Sequence, residues 1–376
     1  MIRAELNENE LEALRRLGGD PIIQSSDFQS SDFQSSSSSR VNSSVIDEAI
    51  SSMPIPDTPQ SGLTVKVCYV GACFNENQVK RKLKPKFPGT EVAGIIHEVG
   101  NNIPNSNYMP GDRVIIVPDE AIISSGYKEY IPIEDPSNVI QVPQNVPLEV
   151  AAMLPGGALT AFAAASCARN HVERLQKVKS CVNVLIVGAG GLGLWTIRLA
   201  KYLLGDDCSS VRIFVADNSI DKLLLAQEHG CYDIIHWNEE DHEQYIHERT
   251  LDACRGGVDV IIDYVGSHRS MQRSLTVLNR EGVIIVGGNS TADTNISLNA
   301  LAAKQQSIVG IPKGNVNQLI ELLNAVADKK LEVPQYKVVP VEDANQVFED
   351  LAESRITGRV VFKFGSQSSE HIVDNH

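Results

Sequence analysis

The chain lacks any C-x-x-C pair, and its cysteines number seven, so neither a disulfide framework nor zinc-ribbon spacing can be read from it. Such thiols fit a reducing compartment, and a cytoplasmic location is expected. A basic excess is also missing: 33 Lys and Arg stand against 47 Asp and Glu, a net charge of −14. That field repels phosphate backbones and anionic lipid, which argues against nucleic acid and the membrane as partners. An apolar leader is absent from the first residues, where Glu5, Glu8 and Glu10 stand in place of the apolar core that a secretory signal needs. Only residues 150–168 run for 19 positions without a charge, long enough to raise the question of a membrane span. Eight of them are Ala and Leu154-Pro155-Gly156-Gly157 breaks the run, so a buried, closely packed segment is expected instead.

What is present suffices for two cores. A length of 376 residues, 42% of them hydrophobic, points to two domains plus extras. Residues 1–60 read as an N-terminal extension. Asn7 and Glu10 resemble a capping arrangement, Leu11, Leu14 and Leu17 share a face, and Gly18-Gly19 ends the short helix. Residues 25–44 hold eleven serines and a tandem Ser-Ser-Asp-Phe-Gln repeat. Such a tract buries too little apolar surface to offset its ordering entropy, so disorder is expected, as a phosphorylatable tail or as a tolerated low-complexity insertion.

From Leu63 onward, short β-like runs at 64–69, 91–99, 113–117 and 129–132 are punctuated by Phe87-Pro88-Gly89 and Met109-Pro110-Gly111-Asp112, the texture of an all-β domain. After Gly157 wholly apolar strands at 182–187, 211–216, 258–263 and 283–286 alternate with helices from Leu192, Asp221 and Ser270. Strands without a polar face, each followed by a helix, indicate a parallel sheet covered on both sides. Helices near 316–327 and 344–353 and a strand at 359–364 close the chain. The fold class is α/β.

The strand ending at Val187 runs into Gly188-Ala189-Gly190-Gly191-Leu192-Gly193 and then into an apolar helix. This is the context in which a G-x-G-x-x-G turn binds a dinucleotide. Gly188 permits the tight turn, Gly190 lets the backbone approach a diphosphate, and Gly193 lets helix and strand pack closely. The unpaired amides of the helix start then hold the phosphates. Asp217 ends the next strand, where a carboxylate accepts hydrogen bonds from ribose hydroxyls and repels a 2′-phosphate. It lies 24 residues past Gly193, with the hydrophilic insert 205–210 accounting for the excess over the usual ~20. NAD(H) is therefore favoured over NADP(H). The blander alternative for Asp217 is a strand-end carboxylate that caps the following helix.

This layout resembles the medium-chain dehydrogenase/reductase superfamily, which includes alcohol dehydrogenases and quinone reductases. The resemblance spans about residues 63–364 and is carried by Val65-Lys66-Val67 leading to Gly71-Ala72-Cys73, by Pro88-Gly89-Thr90-Glu91-Val92-Ala93-Gly94, by Pro110-Gly111-Asp112-Arg113-Val114, by Ala151-Ala152-Met153-Leu154 and by Gly358-Arg359-Val360-Val361. It implies a β-rich GroES-like catalytic domain from 61–157 and 313–376, and a Rossmann-like doubly wound parallel sheet from 158–312. It further implies that Lys222 lies near the adenosine ribose, that Val265-Gly266 and Val286-Gly287 pass beside the cofactor, that Arg359 reaches the diphosphate, and that the protein is a homodimer.

The chain departs from the zinc members of that superfamily, whose catalytic ion takes a Cys, a His and a second Cys. Aligned on the same motifs, Cys73 matches the first ligand, but Thr90 and Gly156 stand at the other two. Glu91 is retained, and one thiolate with one carboxylate falls short, so no metal is expected. The residues that relay a proton in alcohol dehydrogenases match Asn75 and Gln78, which leaves no evident proton route; Cys73, Asn75 and Glu91 remain the candidates for catalysis. The expected activity is a zinc-independent, NAD(H)-dependent transfer of hydride to or from a small carbonyl-conjugated, enone or quinone-like substrate. The alternatives are a catalytically silent dinucleotide binder acting as sensor or scaffold, and an alcohol dehydrogenase-like enzyme.

Overall fold

A computed structural model describes residues 54–73, 89–103, 107–118, 127–205, 208–288 and 293–365. The expected N-terminal helix, the serine tract, Asn75 and Gln78 lie outside the described residues. In chain order the elements are β1 (Leu63–Gly71), β2 (Val92–Val99), β3 (Arg113–Ile116), β4 (Tyr130–Ile133), β5 (Val139–Gln141), α1 (Leu148–Ala152) and α2 (Leu159–Leu175), with a π-helical turn, Leu154–Ala158, between the last two. Then come β6 (Val182–Val187), α3 (Gly191–Leu204), β7 (Val211–Asp217), α4 (Ile220–Glu228), β8 (Asp233–His236), α5 (Glu243–Ala253), β9 (Val258–Asp263), α6 (His268–Val277) and β10 (Leu278–Val286). The chain closes with α7 (Leu298–Lys304), β11 (Ser307–Gly310), α8 (Val316–Ala327), β12 (Tyr336–Pro340), α9 (Ala344–Ala352) and β13 (Arg359–Lys363).

Two sheets result. One runs β12-β13-β1-β2-β3-β5, with β4 also paired to β1, and is antiparallel except where β12 meets β13. Leu63, Val65 and Val67 of β1 turn inward while Lys66 turns out, the period-two pattern of a sheet with one wet face. The other sheet is wholly parallel in the order β11-β10-β9-β6-β7-β8. Its chain runs from β6 to β8 in one direction and then resumes on the other side of β6, so the order reverses between β6 and β9. In doubly wound sheets such a reversal opens a crevice at the carboxyl ends of the strands.

The parallel strands are apolar throughout because both faces are covered. Val184 packs with Ala164 and Ala168 of α2, and Ile186 packs with Leu194 and Ile197 of α3. The alternate residues Leu185 and Val187 meet Met271 and Val277 of α6 on the opposite face. The uncharged segment 150–168 is buried, as its composition suggests: Ala161, Ala164, Ala165 and Ala168 are inaccessible, and small side chains let α2 lie close on the sheet. Among the described residues no helix is long and apolar enough to cross a membrane.

The expected α/β class is the one observed, with two differences of detail. The strand expected at 283–286 begins five residues earlier, at Leu278, because Leu278 pairs with Val258 before a bulge at Glu281-Gly282 shifts the register. The helix expected from Ser270 begins at His268, because Ser267 and Ser270 form a reciprocal capping box. The elements β5, β8, α5, α7, β11 and β12 have no counterpart in the sequence reading, and α1 and α2 correspond only to the segment expected to be buried and closely packed. β5, β8, β11 and β12 are three to five residues long and lie at sheet margins, where half-exposed side chains blur the apolar pattern.

Candidate active site at the carboxyl edge of the parallel sheet

The turn after β6 opens with Gly188 at φ 104°, a conformation that L side chains rarely adopt. Its amide donates to Ala216 O at 2.8 Å and so ties the turn to β7. Gly193 packs tightly, since a Cβ there would sit 2.0 Å from Gly188 O. Gly190, the residue capping α3, is different: a Cβ there would meet nothing within 4 Å. The first turn of α3 thus presents unpaired amides towards free space, the arrangement that receives a diphosphate.

Asp217 lies beside this turn. Its Oδ2 accepts the Ala189 N–H at 2.7 Å and its Oδ1 accepts the Ser219 N–H at 2.9 Å. The carboxylate therefore braces the glycine turn and the start of α4 together, and each oxygen keeps a lone pair for a further donor. Lys222 lies one turn into α4, with its amide on the Ser219 side chain at 3.4 Å. Across the reversal point, buried Asp263 ends β9 and accepts from Val265 N–H at 2.8 Å, Gly266 N–H at 2.9 Å and Ser270 Oγ at 3.0 Å. Burial raises the Asp263 carboxyl above the usual carboxylate range, and these three donors oppose the rise. They shape the loop so that Val265, 44% exposed, comes over Gly188, whose Cβ position lies 3.3 Å from Val265 Cγ2. Gly287, following Val286 at the end of β10, donates to Asp263 O at 3.0 Å.

Facing this edge is a cluster of buried polar groups. Glu91, immediately before β2, has no exposed surface. It accepts from Gly157 N–H at 2.6 Å, from the Cys73 thiol at 3.6 Å and from the Arg359 guanidinium. Three glycines make the room: a Cβ on Gly71 would sit 1.9 Å from Glu91 Oε2, one on Gly156 2.5 Å from Glu91 Cγ, and one on Gly191 2.6 Å from Arg359 Cδ. The π-helical turn aims the Gly157 amide at the carboxylate, an irregularity that recurs at functional sites. Burial works against the charge of Arg359, but the Glu91 carboxylate and the Cys73 thiol hold its pKa raised. Burial, with the Glu91 charge adding to it, pushes the Cys73 thiol up to about 12, so it stays protonated at neutral pH.

Arg359 thus connects the two sides. The resemblance assigns it to the diphosphate; its stem lies against Gly191 at the first turn of α3, while its guanidinium is turned to Glu91 and its Nε has no partner. Tyr127, packed edge-on against Phe348 and Phe362, leaves its buried hydroxyl without a partner, and burial together with Cys73 and Glu91 raises its pKa far above the ordinary phenol value. Sequence reading missed Tyr127, and also Tyr264, whose hydroxyl meets Thr196 Oγ1 at 2.5 Å. The only signal for Tyr264 was its place directly after the apolar strand β9.

Among the described residues, this cluster offers a metal ion few donors. Cys73 and Glu91 supply one thiol and one carboxylate, and the carboxylate is already bound to Arg359, a buried cation that opposes a dication beside it. Among the described residues no group of three His, Cys, Asp or Glu side chains is placed to hold a metal ion. The sequence itself has no cysteine between Cys73 and Cys167, and His97, exposed and edge-on to Tyr130 at 5.1 Å, is the only histidine there.

Comparison with known proteins agrees with this architecture. Residues 59–144 match the family model described as alcohol dehydrogenase GroES-like domain, and residues 191–328 match the one described as zinc-binding dehydrogenase. The chain is similar to the NAD-dependent alcohol dehydrogenase of Sulfolobus acidocaldarius, 26% identical over 353 residues that cover 84% of this chain and 95% of that protein. It is also similar to the quinone oxidoreductase of Mus musculus, 27% identical over 321 residues covering 82% and 90%. The solved alcohol dehydrogenase of Aeropyrum pernix shares the fold with a TM-score of 0.69 at 22% identity, covering 83% of this chain and 95% of that one. The two family models, together with these curated relatives, show that the chain belongs to the medium-chain dehydrogenase/reductase superfamily of oxidoreductases.

Proposed function

We propose that the protein is a zinc-independent, NAD(H)-linked oxidoreductase acting on a small carbonyl-conjugated, enone or quinone-like compound. The observation that carries this reading is the open space over Gly190 and the α3 amides, with the Asp217 carboxylate alongside. Gly188, Ala189, Gly190, Gly191, Leu192 and Gly193 would hold the diphosphate, Asp217 and Lys222 the adenosine ribose, and Val265, Gly266, Val286 and Gly287 would line the path of the cofactor. The bound nicotinamide would supply or accept the hydride. Asp217 favours NAD(H), because its charge repels a 2′-phosphate; the NAD dependence named for the Sulfolobus acidocaldarius relative supports the same choice. We assign 61–157 with 313–376 to the catalytic domain and 158–312 to the cofactor domain, and expect a cytoplasmic homodimer.

The Cys73–Glu91–Arg359 cluster supports zinc independence. A thiol held protonated is a poor nucleophile, and a carboxylate bound by Arg359 is a poor general base. Removing a proton from an unactivated alcohol is therefore badly served here. An electron-poor carbon needs less, since hydrogen-bond donors alone can stabilise the charge that develops.

The test is NADH and NADPH oxidation against a panel of enones, enals and quinones, with elemental analysis of the purified protein. Turnover of at least one panel member with NADH preferred, at far less than one zinc per chain, is expected. Stoichiometric zinc overturns the metal-free reading, and NADH binding without any turnover favours the silent, dinucleotide-binding alternative.

A further inference from the structure

The strand order reverses between β6 and β9, and that reversal divides the residues assigned to the cofactor into two groups. The glycine turn, Asp217 and Lys222 belong to the half built on β6 and β7; Val265, Gly266, Val286 and Gly287 belong to the half built on β9 and β10. A dinucleotide lying across such a crevice touches both halves, so its affinity depends on how far apart they are held. Tyr264, the residue directly after β9, lies where the two halves meet and packs on the apolar clusters under both α2 and α3.

Tyr264 is held from three sides. Its amide donates to Val187 O at 3.0 Å, one residue before the glycine turn, and its Cβ lies 3.6 Å from the Cβ position of Gly188. Its ring occupies the place of a side chain at the end of β10: a Cβ on Gly287 would come within 2.8 Å of Tyr264 Cε1, and one on Gly288 within 2.3 Å of Tyr264 O. The two glycines therefore let that segment close down on the tyrosine, and their amides, which donate to Asp263 O at 3.0 and 3.2 Å, keep it there. The hydroxyl reaches the other way, to Thr196 Oγ1 of α3 at 2.5 Å. Thr196 is inaccessible, and its own hydroxyl donates to Leu192 O, in the first turn of the same helix, at 2.9 Å. A threonine hydroxyl has one proton to give. With that proton on Leu192 O, the short bond carries the proton of Tyr264, and burial, which pushes the phenol up against the opposing Thr196 bond, keeps it there at neutral pH.

We propose that Tyr264 is a positioning residue for the dinucleotide: its ring sets the place of Gly287 and Gly288, its hydroxyl sets the first turn of α3 through Thr196, and together they fix the spacing between the two halves of the crevice. The inference rests on the reading of the glycine turn as the dinucleotide site. The β6–β9 ladder joins the halves as far as Val187 and Asp263. The Tyr264–Thr196 bond extends that link to the helix whose amides receive the diphosphate. A ligand that touches one half alone is indifferent to the spacing, and a ligand that touches both is not.

Titration calorimetry on the full-length protein tests this with two probes: ADP, whose adenosine and diphosphate engage the β6–β7 half alone, and NADH, which engages both halves. Tyr264→Phe keeps the ring and removes the hydroxyl. Its NADH affinity is expected to fall about fivefold while its ADP affinity stays within about twofold of the wild type. Thr196→Val breaks the same bond and is expected to give the same split, with the double variant no weaker than either alone. Thr196→Ser keeps the hydroxyl and is expected to keep the NADH affinity. NADH affinity undiminished in Tyr264→Phe, or ADP and NADH weakened alike, overturns the spacing role and leaves the dinucleotide reading in place. A wild type that binds neither probe overturns the dinucleotide reading and this inference with it.

Discussion

Glu91 is the residue on which the buried polar cluster facing the glycine turn depends. Its carboxylate is inaccessible and gathers the Gly157 amide, the Cys73 thiol and the Arg359 guanidinium around one point. Breaking a buried ion pair from one side leaves an uncompensated charge. Glu91→Gln keeps the shape and an acceptor for Gly157 but strands Arg359, which is 7% exposed. We expect this variant to lose roughly 3–5 kcal/mol of stability in denaturant unfolding; a loss under about 1 kcal/mol would mean that the pair contributes no net stabilisation in the fold. At this scale the sequence was informative about one side of the cleft only. Gly188, Gly193 and Asp217 were legible because a turn, a close packing and a strand end dictate residue type locally. The partnership of Glu91 with Arg359 joins positions 268 residues apart, and no local rule announces it. Nor could the sequence show that Asp217 braces Ala189 and Ser219 at once, or that the cap of α4 is Ser219, whose side chain accepts the Lys222 N–H, and not Asp217.

Among the elements, α4 and the segment before β12 are tied by a single imidazole. His229, at the end of α4, hydrogen-bonds Leu225 O through Nδ1 at 2.8 Å and accepts the Gln335 N–H through Nε2 at 3.0 Å. Gln335 O in turn accepts the Arg359 N–H at 3.1 Å, so the link reaches the start of β13. These bonds require a neutral ring with its proton on Nδ1. Burial lowers the pKa of His229 below the ordinary 6.5, and Arg198 adds to this, while the Leu225 bond, Glu228 and Glu332 oppose it. Because the folded value is depressed, the unfolded chain takes up the proton first. The contribution of His229 is therefore whole above pH about 6.5 and is lost as the pH falls through the folded value. His171 and His247 shift the same way, so the wild type should lose stability from pH 7.5 to pH 5.5, and His229→Gln should lose less over that interval. Equal acid slopes in urea unfolding of the two proteins would contradict the link. The apolar strands and the helices α3, α4, α6, α8 and α9 were legible from their patterns; α2 was legible only as a buried segment, and α5, the short marginal strands and the bulge that lengthens β10 were not.

At the scale of the whole molecule, the switch from alternating to wholly apolar strands after Gly157 gave away both sheets, because one has a wet face and the other has none. The strand order was not written in any segment. It emerges from right-handed crossovers that carry the chain first to one side of β6 and then to the other, and the opening this leaves is where Gly190 faces free space. Dinucleotide binding at that opening is the central claim, and Gly190 tests it cleanly, since a Cβ there meets no protein atom within 4 Å and its φ of −76° suits any residue. The most direct measurement is a fluorescence titration of NADH into the wild type and Gly190→Val, with thermal midpoints recorded for both. Saturable binding in the wild type, at least about tenfold weaker in the variant at an unchanged midpoint, is the predicted result. NADH affinity untouched by the valine, or no NADH binding to the wild type at all, would contradict it.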